Sequence, residues 1–222
     1  MPAEEGVSEE IVVVVSGGGA PAARVARAVP LDAPVIAADE GLEHALALGL
    51  EVTVAVGDFD SAAPEAVAAA EAAGVRIERH PAEKNATDLE LALDVAAGME
   101  PKRILVLASD SGRLDHSLAN VLVLGAERYA GPTIDAYVGQ ALVHVVRRGV
   151  RRIDGEPGEL VSLLALHGPA QGVTTEGLAY PLRGETLEAG SSRGVSNVFS
   201  AERATVTVEQ GVVLAVRPGG AG

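Results

Sequence analysis

From Ile11 onwards, short runs of β-branched and apolar residues alternate with Ala/Leu-rich stretches whose apolar positions recur at helical spacing. The runs Ile11–Val15, Pro34–Ala38, Val52–Val56, Val75–Glu78, Arg103–Leu107 and Thr133–Val138 predict strands. The stretches Pro21–Ala28, Glu40–Leu48, Pro64–Ala73, Thr87–Ala97 and Asp115–Tyr129 predict helices between them. Alternation at this spacing is the signature of βαβ units and a mainly parallel sheet. The strands are apolar almost throughout, which suits a sheet covered by helices on both faces. The expected fold class is α/β, with a Rossmann-like, mainly parallel sheet.

The pattern changes after about Gly139. Helical spacing largely stops, and the runs Ala141–Arg148, Glu159–His167, Arg203–Glu209 and Val212–Arg217 predict strands. Arg203–Glu209 alternates with period two and meets Gln210-Gly211, a hairpin signal. A small antiparallel β-sandwich domain is therefore expected after the α/β domain, with the boundary near Gly139–Glu156. The expected division is residues 1–140 and 141–222.

Composition narrows the function classes. Of the 222 residues 48% are hydrophobic, enough for a real core, but only 2% are aromatic and there is no Trp. The core must come from Val, Leu, Ile and Ala. A formal net charge of -14 lacks the basic footprint of a nucleic-acid binder, so no nucleic-acid partner is expected. The absence of Cys excludes disulfides, thiolate catalysis and Cys-based zinc sites. The five histidines show no HExxH or i,i+4 spacing, so a His-based zinc site is unsupported. The acidic opening MPAEEGVSEE is unlike a signal peptide, and no apolar run approaches a membrane span. A cytoplasmic protein with no membrane partner is expected.

In open parallel sheets, ligands bind at the carboxyl ends of the strands. Those ends carry the polar motifs here. Ser16-Gly17-Gly18-Gly19 follows the first strand, Asp39-Glu40-Gly41 the second, and Gly57-Asp58-Phe59-Asp60-Ser61 the third. Lys84-Asn85-Ala86-Thr87-Asp88 follows the fourth, and Ser109-Asp110-Ser111-Gly112-Arg113-Leu114-Asp115-His116 the fifth. The glycine loop is not a P-loop, since no Gly-Lys-Ser/Thr follows; it is a tight turn or a place where backbone N–H groups meet phosphate. Asp58 and Asp60 stand two apart, so an extended segment projects both to one side. Like charges that close repel unless a cation lies between them, and Mg²⁺ takes carboxylates together with substrate phosphates. A solvated loop or a helix cap is the structural alternative. Thr87 or Asp88 suits a helix N-cap; Asp88 is also a candidate third carboxylate, and Lys84 a point charge for phosphate. Arg113 has the donor fork for phosphate. Asp115 is open between metal ligand, base and hydrogen-bond acceptor. No Cys or GxSxG nucleophile is present. Carboxylates, a few cations and glycine turns are the equipment of phosphoryl-type transfer, where positioning and charge neutralisation dominate.

Taken in order, Gly57–Ser61, Lys84–Leu93, Gly112–His116 with Asn120, Gly177-Leu178-Ala179-Tyr180-Pro181-Leu182 and Ser192-Arg193-Gly194-Val195-Ser196-Asn197 resemble the successive signatures of the thiamine pyrophosphokinase (thiamine diphosphokinase) family. The resemblance runs from about Val12 to Val213. It implies an α/β catalytic domain plus a β-sandwich domain that binds thiamine and dimerises, working as a homodimer with the site between subunits. It implies pyrophosphoryl transfer from ATP to the thiamine hydroxyl, with Mg²⁺, and AMP leaving. By residue match, Asp58, Asp60 and Asp88 would hold the metal. Gly18, Gly19, Asp39, Lys84, Thr87, Ser109 and Arg113 would serve ATP. Asp115, His116, Asn120, Ser196 and Asn197 would serve thiamine, with Asp58, Asp60, Asp88 and Asp115 as the catalytic set. The competing readings are a related pyrophosphokinase with another hydroxymethyl acceptor such as a pterin, a non-catalytic nucleotide- or thiamine-binding regulator, and a metal-dependent phosphoesterase. The last lacks a visible His/Asp dinuclear pattern.

Overall fold

Strand–helix alternation does build a parallel sheet, as seen in the computed structural model, which describes residues 11–83, 85–109 and 113–220. Strands β1 (Ile11–Val15), β2 (Val35–Ala38), β3 (Val52–Gly57), β4 (Arg76–Arg79), β5 (Arg103–Ala108) and β6 (Thr133–Val138) are all parallel, in the order β4-β3-β2-β1-β5-β6. Successive residues of a strand face opposite ways. Val12 and Val14 therefore pack on one side with helix α3 (Asp88–Gly98), through its Leu89, Ala92, Leu93 and Ala96. Val13 and Val15 pack on the other side with Val25 and with Ala45 of helix α1 (Gly41–Ala47). Helix α2 (Pro64–Ala72) covers the same side next to α1, through Val67 and Ala70. Val12 to Val15 are buried on both faces, which is why the strand reads as continuously apolar.

Two predicted helices are shorter than their patterns suggest. Pro21–Ala28 yields only a 3-10 segment, Ala23–Ala28, whose N-cap Ala22 supplies no side-chain cap. The stretch Asp115–Tyr129 gives helix α4 (Leu114–Leu124) and then a 3-10 turn, Glu127–Tyr129. The break falls at Gly125, packed so closely on Leu166 that a Cβ would lie 2.2 Å from its Cδ2.

Beyond β6 come β7 (Ala141–Val146), β8 (Gly149–Asp154), β9 (Leu160–Glu176), β10 (Arg183–Leu187), β11 (Asn197–Val198), β12 (Arg203–Val208) and β13 (Gln210–Arg217). β7 turns back antiparallel on β6, and the order continues β7-β13-β9-β12-β8. β9 is almost twice the predicted length. Its first part pairs with β13 and its last part with β12, with positive φ at His167 and Gly168 between them. A bend there lets one strand serve both layers of a sandwich. Val161, Leu163, Val173, Phe199, Val206 and Val213 fill the space between the layers. The chain is thus a mainly parallel α/β unit followed by an antiparallel sandwich, as the sequence predicts.

A buried ion cluster sits where the parallel strands meet the antiparallel ones. Asp135 on β6 is fully buried. Its carboxylate meets His144 Nδ1 on β7 at 2.7 Å, the Arg151 guanidinium on β8 at 2.7 and 2.8 Å, and the Arg103 guanidinium on β5 at 2.7 Å. Burial alone would push the Asp135 carboxyl up. The hydrogen bond and charge of His144, with Arg151 and Arg103, outweigh it and hold the carboxyl down at about 2. Removing the carboxylate would strand two half-buried guanidinium groups against a buried site, so Asp135→Ala is expected to lower unfolding free energy by about 3–5 kcal/mol in urea titrations at neutral pH. The group's contribution is present above the ordinary carboxylate value of about 4 and fades as pH falls from there towards the folded value. The gap between wild type and variant should therefore narrow between roughly pH 4 and 2. An equal gap at pH 7 and at low pH would show that the cluster is not held by charge.

Candidate functional site

The strand order reverses across β1: β2, β3 and β4 lie to one side of it, β5 and β6 to the other. Loops on the two sides diverge there and open a crevice. A cavity of about 630 Å³ occupies that edge, lined by the glycine loop after β1, Asp39 and Glu40 after β2, Asp58, Asp60 and Ser61 after β3, Thr87 and Asp88 at the start of α3, and Ser109 after β5. Arg113, His116, Ser117 and Asn120, from α4 and its entry, close the far wall. All five polar strand ends thus meet in one place.

Carboxylates crowd the floor. Oxygens of Asp39, Asp58 and Asp60 all lie within 4.8 Å of one another. Asp39 is buried, with φ +48°, and its Oδ1 has no hydrogen-bond partner among the described residues. Burial raises its carboxyl above the ordinary value; the Glu40 amide pulls the other way, and the charges of Asp88, Asp58 and Asp60 add to the rise. In the loop itself, Asp60 N donates to Asp58 Oδ1 at 3.3 Å and Ser61 Oγ to Asp60 Oδ1 at 3.0 Å. Phe59, at φ +57°, turns the chain between the two aspartates and lies under the Arg79 guanidinium, 5.9 Å from the ring centroid. Gly57 makes the crowding possible. A Cβ there would stand 3.1 Å from Asp88 Oδ1 and 3.2 Å from Asp39 Cα, at a φ of +154° that side chains rarely adopt.

The sequence-predicted residues divide into three groups. Gly18, Gly19, Asp39, Asp58, Asp60, Thr87, Asp88, Ser109, Arg113, His116 and Asn120 all line the cavity. Thr87 is also the N-cap of α3, its hydroxyl accepting from Glu90 N at 3.2 Å. Lys84 and residues 110–112 lie outside the described residues. Asp115, Ser196 and Asn197 do not line the cavity. Asp115 is exposed and grips Arg113 with both oxygens, at 3.2 Å to Nε and 2.6 Å to the guanidinium. That hydrogen bond holds the Asp115 carboxyl down at about 2. Asn197 is buried: its Oδ1 accepts from Tyr180 N and Val198 N, and its Nδ2 donates to Tyr180 O at 2.7 Å. Ser196 is exposed at φ +58°, its N–H on Ser162 Oγ.

Sequence reasoning missed Glu40 and Ser117. Glu40 Oε2 accepts from Gly18 N at 3.2 Å, reaching back from α1 to the glycine loop. No local spacing signals that contact, because it joins positions on different strand ends. Ser117, whose hydroxyl donates to Arg113 O, had a weak signal in its place one residue after His116.

Residues 31–134 match the family model for the thiamin pyrophosphokinase catalytic domain. Residues 148–213 match the model for the thiamin pyrophosphokinase vitamin B1 binding domain. Thiamine pyrophosphokinase of Bacillus subtilis is 28% identical over 183 residues, covering 82% of this chain and 86% of that protein. The crystal structure of the Bacillus subtilis enzyme superposes with a TM-score of 0.80 at 25% identity, over 93% of this chain and 98% of that one. The thiamin pyrophosphokinase of Geobacillus thermodenitrificans gives 0.77 at 28% identity, over 93% and 96%.

Like charges this close, one of them buried, oppose folding. Asp39→Asn removes one buried charge and keeps a residue type that tolerates positive φ. In the presence of a chelator it should raise the melting temperature by about 2–4 °C, the shift that roughly 1 kcal/mol gives a chain of this size. An unchanged or lower melting temperature would mean that the carboxylate is satisfied without a cation.

Proposed function

The chain belongs to the thiamin pyrophosphokinase family, and from that premise we propose that it transfers a pyrophosphoryl group from ATP to the hydroxyl of thiamine, giving thiamine pyrophosphate and AMP. The observation that carries this reading is the carboxylate trio Asp39, Asp58 and Asp60 at the floor of the switch-point cavity. The hydroxyl oxygen forms a bond to the β-phosphorus of ATP. The bond from that phosphorus to the oxygen of AMP breaks, and the hydroxyl proton is lost. The family model over residues 148–213 carries vitamin B1 in its description, which favours thiamine over a pterin-like acceptor.

The donor set fits Mg²⁺. It is all oxygen: one carboxylate oxygen each from Asp39, Asp58 and Asp60 lie within 4.8 Å of one another, and Asp39 Oδ1 is buried with no hydrogen-bond partner among the described residues. Asp39, Asp58 and Asp60 would hold the ion, with Asp88 beside them; when bound, it would neutralise charge on the transferring phosphates. In this reading the Gly18 and Gly19 amides meet phosphate, and Thr87, Ser109 and Arg113 contact the nucleotide. Lys84 keeps the phosphate role that the family pattern gives it. His116 and Asn120 place the acceptor. Asp115 orients Arg113 through its two-oxygen grip, a positioning role rather than that of a base.

Residues 1–140 then form the catalytic domain, and residues 141–222 the domain that binds thiamine and dimerises. A homodimer is supported by two observations. Ser196 lies away from this chain's own cavity lining. Leu114, Leu118 and Leu122 form an exposed stripe along α4, next to the cavity wall, at 73%, 55% and 47% exposure. Among the described residues no helix is long and apolar enough to cross a membrane; we assign the enzyme to the cytoplasm, where ATP is made and used.

An assay with ATP, Mg²⁺ and thiamine should yield AMP and thiamine pyrophosphate in equal amounts. Asp58→Asn and Asp60→Asn should each lower turnover by about two orders of magnitude, as removal of a principal charge-stabilising group does. Near-normal turnover in both would overturn the metal assignment, and product formed only with a pterin alcohol would overturn the acceptor. Sedimentation should give a dimer, and Leu118→Glu should produce inactive monomers. A fully active monomer at high dilution would remove the shared site.

A further inference from the structure

α1 starts two residues after Asp39 and is anchored hard at its origin. Gly41 packs so tightly on the end of β1 that a Cβ would lie 2.2 Å from Val15 O. The helix is therefore a fixed arm attached to Asp39. From its first turn Glu43 reaches across to the aspartate loop, where its Oε1 accepts from Ala63 N at 2.5 Å. Ala63 is the N-cap of α2 and has no side-chain cap of its own, and Pro64 follows at the first helical position. Glu43 thus takes, from another helix, the N–H of the N-cap residue itself, the bond that a Glu at the third helical position makes in a capping box.

The loop needs such a tether. Hydrogen bonds within it join Asp60 to Asp58 and Ser61 to Asp60. Three carboxylates within 4.8 Å repel, and nothing in those local bonds keeps the loop from swinging away from Asp39. At one end the loop is fixed by Gly57 in β3; at the other, Ala62 is buried beside Leu42 of α1 and Ala63 is held by Glu43. We propose that Glu43 is a positioning residue for the metal site: by holding the Ala63 N–H it sets the distance of Asp58 and Asp60 from Asp39. The inference rests on the cation reading given above.

Binding of Mn²⁺, followed by electron paramagnetic resonance and calorimetry without nucleotide, tests it apart from catalysis. Glu43→Ala should weaken Mn²⁺ binding about tenfold, the lower range for loss of an outer-shell partner. Glu43→Gln keeps an oxygen acceptor and should bind within about twofold of the unmutated protein. Ala63→Pro removes the same bond from the other side: φ is -64°, the value proline imposes, so residue 63 itself is unstrained while its N–H is lost. The double variant should bind no more weakly than either single one. Unchanged Mn²⁺ affinity in Glu43→Ala and Ala63→Pro, even with lowered melting temperatures, would reduce Glu43 to a helix cap and overturn the proposal. If Glu43→Ala does not fold, Ala63→Pro with Glu43→Gln decides the matter. Absence of Mn²⁺ binding in the unmutated protein would instead overturn the cation reading on which the proposal stands.

Discussion

Parallel strands deliver every following loop to the same edge, and this molecule depends on that constraint. Six strands run in one direction, and the chain reverses its winding across β1. Residues far apart in sequence, Gly18, Asp39, Asp58, Asp88 and Ser109, are therefore neighbours around one cavity. No single motif makes the site. The β-branched runs form the strands, the strands fix the edge, and the edge assembles the chemistry. The near absence of aromatic side chains suits this build, because Val, Ile, Leu and Ala fill both faces in thin layers.

Assembling carboxylates this way is costly because like charges repel, and the local structure absorbs the cost. Gly57 leaves room where any side chain would press on Asp39 and Asp88. Asp39 and Phe59 both take positive φ, a conformation that a packed environment must enforce. The enforcement is visible: Asp39 N donates to Val56 O at 2.9 Å, and Phe59 is covered by Arg79. Strain of this kind gathers where geometry serves chemistry rather than stability.

The sequence made the parallel half legible because its strands are buried on both faces and read as continuous apolar runs. It made the sandwich half only partly legible. β8 (Gly149–Asp154) holds one buried residue, Ile153, beside a half-buried Arg151 and exposed neighbours, so its pattern is too thin to count. β9 looked short because His167 and Gly168 interrupt the run at the bend. In the site, the loops after the strands were found by residue type. Residue type does not tell which carboxylates converge: oxygens of Asp39, Asp58 and Asp60 lie within 4.8 Å of one another, while Asp88 Oδ1 stands 3.1 Å from where a Cβ of residue 57 would be. Spacing along the chain carries no signal for that difference, since it depends on how two adjacent strands end.

The β region shows the same limit in another form. Ser196-Asn197 was singled out as a contact motif, yet the Asn197 amide is engaged inside its own fold, with both Oδ1 bonds and one Nδ2 bond holding Tyr180 and Val198. Tyr180 itself is 63% exposed. Three hydrogen-bonding positions of Asn197 are committed there and one Nδ2 hydrogen is left over, so a ligand that took the committed ones would displace bonds that cost about 1–3 kcal/mol each to leave unmade. Asn197 thus brackets the Tyr180 segment, and Tyr180 and Ser196 are the exposed groups beside it. A motif shared across a family marks residues that the site needs; it does not say which of them touch the substrate and which hold the others still.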